Sequence, residues 1–552
     1  MNKNNEYALQ AYKITKKLKN GKVLLDNISV NIKKNTLVAI IGPSGAGKTT
    51  FLKTICRASK TTSGSISYLE NSENEEEQQI GYVPQENIVH YSLKLKDMLY
   101  YYAKLRLPRN TKNEEINKRI EEVLEELNLS HATNQVIETL SGGEKKRANM
   151  AAELLSNPDL FFLDEPNTGL DPYTEKALIE KFKELTKKGR TVIYVSHSLA
   201  HLDMCDQVIV IGKGGKLCFS GTPSEMKEFF GDNDYINIYE QVEKNSEKWQ
   251  RKFEKVNNVS EIKIKKKEKS KKRVSKIYQF KILSRRYIKL LASDKKNLLL
   301  LFMQAPVFAI LIKLVTKSGM YTFFWDTREI LFAFMCCGIW MGLFNSLREI
   351  CKERSIVKCE VMNNISLGSY ICSKIAIISV ICLIQSTILT LTYSILVKFP
   401  EKSIITYPIV EMTITIFLVA LASSSIGLLV SALFKNQNRV MSTAPYLLIP
   451  HLLFSGITYE LEGSLLVIAK FIVGYWGVNA LSISTHLTEL PEPEKEFVGG
   501  QFDGMKYTIP TPKLEYISNT VWGLLENWIV LLVSSITIII LCYFCLRRSI
   551  KD

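Results

Sequence analysis

The stretch "VAIIGPSGAGKTT", residues Val38 to Thr50, decides how the first part of the chain folds. Its apolar run predicts a buried strand, its glycines predict a turn, and the residues from Lys48 predict the start of a helix. The segment fits the pattern G-x-x-x-x-G-K-[ST], whose backbone N–H groups surround phosphate at a helix N-terminus. We therefore expect a phosphate-binding loop in an α/β domain. Its candidate contacts are Gly42, Pro43, Ser44, Gly45, Ala46, Gly47, Lys48, Thr49 and Thr50.

Each part of this loop has a chemical task. The glycines let backbone N–H groups close around the β-phosphate, Lys48 reaches the β- and γ-phosphate oxygens, and the Thr49 hydroxyl coordinates Mg²⁺. The motif also occurs by chance in unrelated sequences. Its position directly after a predicted strand favours a true nucleotide site.

Four further stretches follow in order: "GYVPQEN" with Gln85, "LSGGEKKR" from Leu140 to Arg147, "LFFLDEP" with Asp164 and Glu165, and "VIYVSHS" with His197. A strand that ends in two acids suits phosphoryl transfer. We expect Asp164 to hold magnesium through water and Glu165 to polarise the attacking water, while His197 contacts the γ-phosphate. Each stretch alone has an ordinary structural explanation, but their order and spacing together favour a nucleotide hydrolase.

Residues 1–231 resemble the nucleotide-binding domain of ATP-binding cassette (ABC) transporters, an α/β P-loop NTPase fold. The resemblance rests on Walker A (Gly42 to Thr49), the Q-loop (Gln85), the signature (Leu140 to Glu144), Walker B (Phe161 to Glu165), the D-loop (Gly169 to Asp171) and the switch histidine (His197). It implies ATP and Mg²⁺ as cofactors, with Thr49, Gln85 and Asp164 at the metal and Glu165, His197 and Gln85 as catalytic residues. It also implies an aromatic residue against adenine. Tyr12 is our candidate, with a surface tyrosine as the alternative.

In this family two nucleotide-binding domains pair head to tail. Each ATP lies between the Walker A loop of one domain and the signature helix of the other. The resemblance therefore implies that Ser141, Gly142, Gly143 and Glu144 serve the ATP of a second subunit. It also identifies Asp171 as a D-loop residue. With one such domain in the chain, we expect a dimer with a second copy or a related half-transporter.

Long apolar runs begin near Lys296, and a membrane span needs roughly 20 apolar residues. The sequence predicts an all-α membrane domain of six spans: Leu298–Thr316, Ile330–Leu347, Tyr370–Val397, Ile405–Phe434, Met441–Ile457 and Trp528–Leu546. The apolar segment Ser464 to Leu481 contains two glycines and a lysine, and we interpret it as re-entrant or interfacial. Basic inner segments and an acidic external loop at about 458–527 agree with the positive-inside rule and with both termini in the cytosol.

The predicted domains are the nucleotide-binding domain (1–231), a charged linker (232–276), an interfacial connecting helix (277–296) and the membrane domain (297–552). The net charge of +16 does not favour a nucleic-acid partner, because much of the excess lies in "KIKKKEKSKKRVSK" and beside the apolar spans. A solvated linker, or attraction to anionic lipid, explains it. The 11 cysteines are scattered, so neither a disulfide framework nor a zinc site is expected. The polar N-terminus predicts no cleavable signal peptide.

Polar residues within the spans need a reason. We expect Lys313 and Glu411 to reach the membrane interface by snorkelling. For Gln304, Asn345 and His451, hydrogen bonding between helices is the first interpretation, and lining of a substrate cavity is the second.

The domain order and the long last external loop resemble the ABCG (White) subfamily of half-transporters. "IYQFKILSRRYIKLLASD" looks like its connecting helix, "EICKERSIVKCE" like its coupling hairpin and "LLFSGI" like the end of its fifth span. The segment after His197 lacks the Gln-Pro of animal members and looks closer to a branch in bacteria and unicellular eukaryotes. The resemblance implies a substrate cavity between two subunits, with candidate linings Trp340, Phe344, Asn345, Leu448 and His451.

We therefore expect an ATP-driven half-transporter that exports an amphipathic or lipid-like molecule, in the plasma membrane in preference to an internal membrane. An importer of a small metabolite such as a nucleotide, and a membrane ATPase without transport, are the alternatives.

Overall fold

The computed structural model describes residues 6–18, 20–68, 79–86, 88–257, 275–317, 320–400, 402–457, 461–492, 495–496, 506–507 and 517–551. The chain divides into two compact units, Met1–Val274 and Ser275–Asp552. The first unit is α/β and the second is almost entirely helical.

The strands of the first unit are β1 (Tyr7–Lys17), β2 (Val23–Lys33), β3 (Leu37–Ile41), β4 (Ser63–Tyr68), β5 (Ile80–Val83), β6 (Leu160–Asp164), β7 (Thr191–Val195), β8 (Gln207–Gly212) and β9 (Lys216–Gly221). Its helices are α1 (Lys48–Ile55), α2 (Leu95–Arg106), α3 (Asn113–Glu126), α4 (Gly142–Leu154), α5 (Pro172–Lys187), α6 (Pro223–Phe230), α7 (Tyr235–Lys244) and α8 (Ser246–Glu254). Short 3₁₀ turns lie at Ser130–Ala132, Ile137–Thr139 and Leu202–Met204.

In the part of this unit that the structure describes, the nine strands form one sheet in the order β4-β1-β2-β9-β8-β3-β7-β6-β5. Strands β3, β5, β6, β7 and β8 pair in parallel, whereas β1 pairs antiparallel with β2 and β4. Every residue of β3, β6 and β7 is buried. Their continuous apolar runs suit parallel strands that are covered on both faces. The predicted α/β fold is confirmed.

The predicted linker is folded over its first half. Helices α7 and α8 carry charge on their exposed faces but bury Ile238, Val242, Trp249 and Phe253. The Trp249 ring packs against Phe230, with ring centroids 4.5 Å apart. The boundary predicted at residue 231 is therefore too early, because the high charge masked an apolar stripe at helical spacing. Residues 258–274 of that linker lie outside the described residues.

The helices of the second unit are α9 (Lys276–Ser293), α10 (Lys295–Val315), α11 (Phe324–Ser346), α12 (Arg354–Met362), α13 (Leu367–Leu396), α14 (Pro408–Leu433), α15 (Gln437–Ser442), α16 (Ala444–Leu453), α17 (Gly463–Ala469), α18 (Val473–Ser484) and α19 (Val521–Lys551). Two 3₁₀ turns lie at Cys351–Glu353 and Leu487–Glu489, and β10 (Lys495–Glu496) pairs with β11 (Lys506–Tyr507). Among the described residues, five helices are long and apolar enough to cross a membrane, or six if one bent pair is a single span. The predicted helical membrane domain is confirmed at this level.

The predicted fifth span, Met441–Ile457, is not one long helix. The chain forms α15 and α16, separated by Thr443, and α16 is followed by a turn in which Gly456 has φ 80°. Pro445 and Pro450 each lack an N–H donor, so they weaken a continuous helical ladder here. The ten residues of α16 span only about 15 Å.

The bent pair is α17 and α18, which meet at 91° within the segment that we predicted as re-entrant or interfacial. A broken span and a re-entrant loop both fit this bend. Glycines let α18 approach its neighbours closely, since a Cβ on Gly477 would lie 2.6 Å from a Val419 methyl group. The predicted external loop at 458–527 thus contains helices at 463–484 and the start of α19, while 458–460, 493–494, 497–505 and 508–516 lie outside the described residues.

Helix α9 is fixed to the second unit by buried polar contacts. Arg286 and Glu360 form a two-bond ion pair whose second bond, Nη2 to Oε2, measures 3.0 Å, and both side chains are under 5% exposed. The Gln279 side chain accepts from the Ser366 N–H at 2.8 Å. Helix α9, which covers most of the segment predicted as a connecting helix, is therefore joined to α12 and to the segment between α12 and α13.

A second buried cluster lies beside it. The Lys374 ammonium contacts Glu349 Oε2 at 3.0 Å and Glu353 Oε2 at 2.9 Å, and lies 3.7 Å from the centre of the Tyr287 ring. Tyr370 donates to Glu353 Oε2 at 2.9 Å. Buried charges persist only when they are paired and hydrogen-bonded, as these are.

The expectation for Glu411 was wrong. Its side chain is fully buried, and Oε1 accepts from the N–H groups of Ile404, Ile405 and Thr406 at 2.6–3.1 Å. A short carboxylate at the start of α14 reaches backbone donors more easily than it reaches water. Lys313, by contrast, is exposed, as snorkelling requires.

Candidate functional site

The sheet brings the predicted nucleotide-site residues to one edge. Strands β3, β6 and β7 pair in register, with Ile40 opposite Val195 and Val195 opposite Asp164. Because parallel strands end at the same edge, the chain leaves β3 into the phosphate-binding loop beside Asp164 and beside the residues that follow β7. Motifs that are far apart in the sequence thus lie side by side at this edge of the sheet.

The phosphate-binding loop owes its shape to glycine. Gly42 has φ 144°, and a Cβ there would overlap the Ile211 carbonyl oxygen. Gly47 is the N-cap of α1 with φ 99°, and no side chain caps the first turn. The first N–H groups of α1 therefore lack a side-chain acceptor, which is the arrangement that binds phosphate at a helix N-terminus.

Lys48 and Asp164 are charged residues that lie at this loop. The Lys48 ammonium donates to the carbonyls of Gly42 and Pro43 at 2.7 and 3.0 Å, and burial lowers its pKa. Thr49 Oγ1 donates to Asp164 Oδ1 at 2.8 Å, and burial raises the pKa of that carboxyl group. The Thr49 hydroxyl and the Asp164 carboxylate supply neighbouring oxygen ligands of the kind that Mg²⁺ prefers, so these residues fit the predicted metal.

Glu165 lies at the centre of a second group of contacts. Its Oε1 contacts His197 Nε2 at 2.7 Å, and its Oε2 accepts from Gln85 Nε2 at 2.7 Å and from Thr168 Oγ1 at 3.3 Å. Glu165 also has φ 53°, an uncommon conformation for a residue other than glycine, and such strain clusters at functional sites. The structure thus brings together all three predicted catalytic side chains, which lie on three separate segments.

The signature segment begins a helix with a complete cap. Ser141 is the N-cap of α4, and its Oγ accepts from the Glu144 N–H at 3.3 Å while the Glu144 side chain binds back to the Ser141 N–H at 2.9 Å. Ser141 and Gly142 are exposed, and a Cβ added to Gly142 would meet nothing within 4 Å. The exposed start of α4 is therefore open to a ligand from outside this unit.

The D-loop residue Asp171 is the N-cap of α5. Its Oδ1 accepts from the Thr174 N–H at 3.0 Å, and its bonds to Thr174 lower the pKa of the carboxyl group. Thr168, directly before the D-loop, accepts at its carbonyl from Lys146 of α4, and a Cβ on Gly143 would lie 3.5 Å from Leu170 Cδ2 of the loop. The D-loop and the signature helix are thus in direct contact.

Tyr12 is not brought to the phosphate-binding loop by any described contact. It lies on β1 opposite Ser65 of β4, and its ring is 5.2 Å from the Lys13 ammonium. Three strands, β2, β9 and β8, separate β1 from β3 in the sheet order. The structure therefore gives no support to Tyr12 as the adenine contact.

Sequence reasoning missed two contacts of the site. Tyr239 on α7 donates to the Gly42 carbonyl at 3.4 Å, although it lies in the supposed linker. Buried Asn167 donates to Ser196 Oγ at 2.9 Å and to Glu175 Oε1 at 2.6 Å, so it joins the end of β6 to the end of β7. Asn167 could have been found from its position two residues after Glu165. No local sequence pattern indicates the contact of Tyr239.

The candidate cavity residues of the second unit fall into two groups. Trp340 and Phe344 are exposed and stack on each other, with ring centroids 4.6 Å apart. Asn345 instead donates to Gln385 Oε1 at 2.7 Å, and buried His451 accepts from the Gly474 N–H at 3.3 Å. Leu448 is partly buried against the core. Only the two aromatic residues share an exposed surface, so Asn345 and His451 fit the helix–helix interpretation better.

Comparison with known proteins agrees with this geometry. The family model described as "ABC transporter" matches residues 25–168, and the model described as "ABC-2 type transporter" matches residues 278–485. A linearmycin resistance ATP-binding protein of Bacillus subtilis is 34% identical over 235 residues, which cover 42% of this chain and 74% of that protein. The chain belongs to the ABC transporter family. This ABC transporter carries a nucleotide-binding domain followed by an ABC-2 type membrane domain.

Two other relatives extend the comparison. An ABC transporter ATP-binding/permease protein of Mycobacterium tuberculosis is 28% identical over 502 residues, covering 86% of this ABC transporter and 57% of that protein. ABC transporter G family member 1 of Dictyostelium discoideum is 32% identical over 232 residues, covering 40% of this chain and 29% of that protein. The chain thus spans about half, or less, of the length of these two relatives. The mycobacterial protein matches across both units, in the same order.

Proposed function

We propose that the chain is a half-transporter that hydrolyses ATP as a dimer and uses the energy to move an amphipathic or lipid-like molecule out of the cytosol. The observation that carries the proposal is the contact of Glu165 with both His197 and Gln85 at 2.7 Å, beside a phosphate-binding loop and a Thr49–Asp164 pair. This set contains what ATP hydrolysis needs: an anion cradle, a metal site and a candidate general base.

In this proposal Gly42 to Thr50 bind the phosphates and Lys48 neutralises their charge. Thr49, Asp164 and Gln85 hold Mg²⁺, which supplies charge stabilisation for the departing phosphate when it is bound. Glu165 accepts a proton from the attacking water, and His197 keeps the carboxylate oriented through its 2.7 Å contact. Catalysis by orientation and electrostatics suits the short, fixed contacts of this site.

We infer that the second half of each ATP site comes from a partner subunit, either a second copy or a related half-transporter. Ser141, Gly142 and Gly143 stand at an exposed helix start that can reach the γ-phosphate bound by the partner, with Asp171 beside it. The uncapped start of α1 and the exposed start of α4 support this division into a binding half and a completing half.

Substitution Glu165→Gln tests the assignment. The amide keeps the size of the side chain and one accepting oxygen but cannot accept the proton, so ATP binding is expected to persist while turnover falls by roughly 100-fold or more. Mass photometry of the variant with ATP is expected to show a stable dimer. Asp159, a carboxylate at the opposite end of β6, supplies the matched control through Asp159→Asn. Turnover near the wild-type rate in Glu165→Gln would show that another residue activates the water.

Three features support the substrate class and direction. The exposed Trp340–Phe344 stack offers an apolar, polarizable surface within the membrane domain. The chain fuses its ATPase to its membrane domain, as the mycobacterial relative does, whereas importers with separate binding proteins usually keep the ATPase on its own chain. A relative named for linearmycin resistance accords with outward movement. The ABCG-like branch of bacteria and unicellular eukaryotes, the plasma membrane and cytosolic termini belong to the same proposal.

Reconstitution in liposomes separates the three candidate functions. ATP added outside the liposomes drives only those molecules whose ATPase domains face the external buffer. For an exporter, we expect these molecules to accumulate labelled lipid, sterol or drug inside the liposomes. ATP-dependent loss of a preloaded small metabolite such as a nucleotide would instead identify the importer. Hydrolysis without movement of any substrate would identify a membrane ATPase that does not transport. Glu165→Gln protein in the same liposomes is the control for passive leakage.

A further inference from the structure

A histidine outside the recognised motifs contacts the signature helix. His131 lies in the 3₁₀ turn Ser130–Ala132, and its Nε2 is 2.7 Å from Glu144 Oε1. The turn is held in place by buried Leu129 and Ala132, which flank the histidine. The imidazole is therefore anchored by its own turn and is directed at the first turn of α4.

The contact completes the hydrogen bonding of the Glu144 carboxylate. While Oε1 meets His131, Oε2 accepts from the Ser141 N–H at 2.9 Å and from the Ser141 hydroxyl at 2.8 Å. The bond to His131, followed by the bonds to Ser141, lowers the pKa of Glu144 to about 2. The carboxylate thus carries a full negative charge at neutral pH, three residues from the serine that is proposed to meet a phosphate.

This arrangement poses an electrostatic problem for a composite ATP site. A carboxylate in the first turn of a helix stabilises that helix, but it repels a phosphate that approaches the same helix start. Ser141 can donate its hydroxyl proton to a phosphate only if it releases Glu144. The Glu144 charge must therefore be held away from the incoming phosphate once Ser141 has released it.

We propose that His131 is a positioning residue for the signature motif, and that its contact with Oε1 holds the Glu144 carboxylate toward the turn Ser130–Ala132 when Ser141 exchanges its bond to Glu144 for a bond to the partner's ATP. The proposal rests on the composite site described under the proposed function. His131 touches neither nucleotide nor metal in this scheme and acts through Glu144.

A double-mutant cycle with His131→Ala and Glu144→Gln tests it on the full-length dimer. We expect His131→Ala to raise the KM for ATP hydrolysis by roughly threefold to fivefold with little change in kcat, as befits a contact whose histidine side chain is 58% exposed. His131→Gln keeps a hydrogen-bond donor and is expected to restore the wild-type KM. In the Glu144→Gln background there is no charge to hold, so His131→Ala is expected to add almost nothing.

Two measurements separate this role from simple helix capping. Thermal unfolding of each variant reports damage to α4, and binding of a fluorescent ATP analogue without Mg²⁺ reports the Walker A loop alone. We expect neither to change in His131→Ala. An unchanged KM in His131→Ala, a KM effect that adds fully to that of Glu144→Gln, or failure of His131→Gln to rescue would each overturn the inference. A wild-type chain that hydrolyses ATP as a strict monomer would instead overturn the composite site itself.

Discussion

The buried ion pair between Arg286 and Glu360 offers a direct test of how α9 is held. Replacement of Arg286 by Met leaves the Glu360 carboxylate buried without this partner, and Glu360→Leu removes the carboxylate that accepts both of these bonds from the guanidinium. Both side chains are under 5% exposed, and two hydrogen bonds join them. We expect either single substitution to destabilise the second unit, because a buried charge then loses the two bonds of this pair.

The expected magnitude follows from the burial of the pair. Loss of one partner from a buried ion pair costs about 3–5 kcal/mol, which corresponds to a fall in melting temperature on the order of 10 °C for a unit of this size. The double variant Arg286→Met/Glu360→Leu removes both charges and leaves apolar side chains of similar length. We expect it to recover most of the loss, because desolvation of the two charges offsets much of their attraction.

The assay is thermal unfolding of the purified, detergent-solubilised chain. Unfolding is monitored as the loss of monodisperse protein on size-exclusion chromatography after heating. Lys281→Met on the exposed face of α9 is the matched control, and we expect its melting temperature to stay close to that of the wild type. A single substitution that melts within about 2 °C of the wild type would refute the burial argument. A double variant that melts as low as the two single effects combined would refute the proposed compensation.

Two other outcomes are open to measurement. Gly42→Ala is expected to abolish ATP-induced thermal stabilisation, since its Cβ would overlap the Ile211 carbonyl. At Gly45 a Cβ would meet nothing within 4 Å, so Gly45→Ala should cost only about 1 kcal/mol of backbone strain. Equal behaviour of the two variants would contradict this expectation. Trp340→Ala is expected to change stimulation of ATPase activity by apolar compounds at an unchanged melting temperature, whereas Asn345→Leu should lower the melting temperature because it leaves Gln385 without its 2.7 Å partner. The opposite pattern would assign the cavity to Asn345.

The nucleotide-binding unit was the most predictable part of the fold. Buried parallel strands need continuous apolar runs, and a phosphate-binding loop needs glycines at fixed positions, so both leave a local record in the sequence. Gln85, Glu165 and His197 were predictable for the same reason, since each follows such a strand. Their catalytic roles, like the metal role of Asp164, stay predictions.

Features that depend on distant segments were not predictable in this way. Tyr239 reaches the Gly42 carbonyl across 197 residues of sequence, and no local pattern records that contact. The helices α7 and α8 were hidden by their charge, although four buried apolar residues mark their inner face. The fifth span was overestimated because hydropathy does not register the two prolines of α16.

The helix starts α1 and α4 differ in one respect that bears on the timing of the cycle. The first N–H groups of α1 have no side-chain cap and are ready for an anion at any moment, whereas α4 already satisfies its own cap through Ser141 and Glu144. In the proposed dimer, the start of α1 can thus accept a phosphate without losing a side-chain cap, while the signature helix must first exchange its capping bonds for a phosphate. Nucleotide binding would then precede dimerisation of the nucleotide-binding domains, and a subunit without its partner would bind ATP without hydrolysing it.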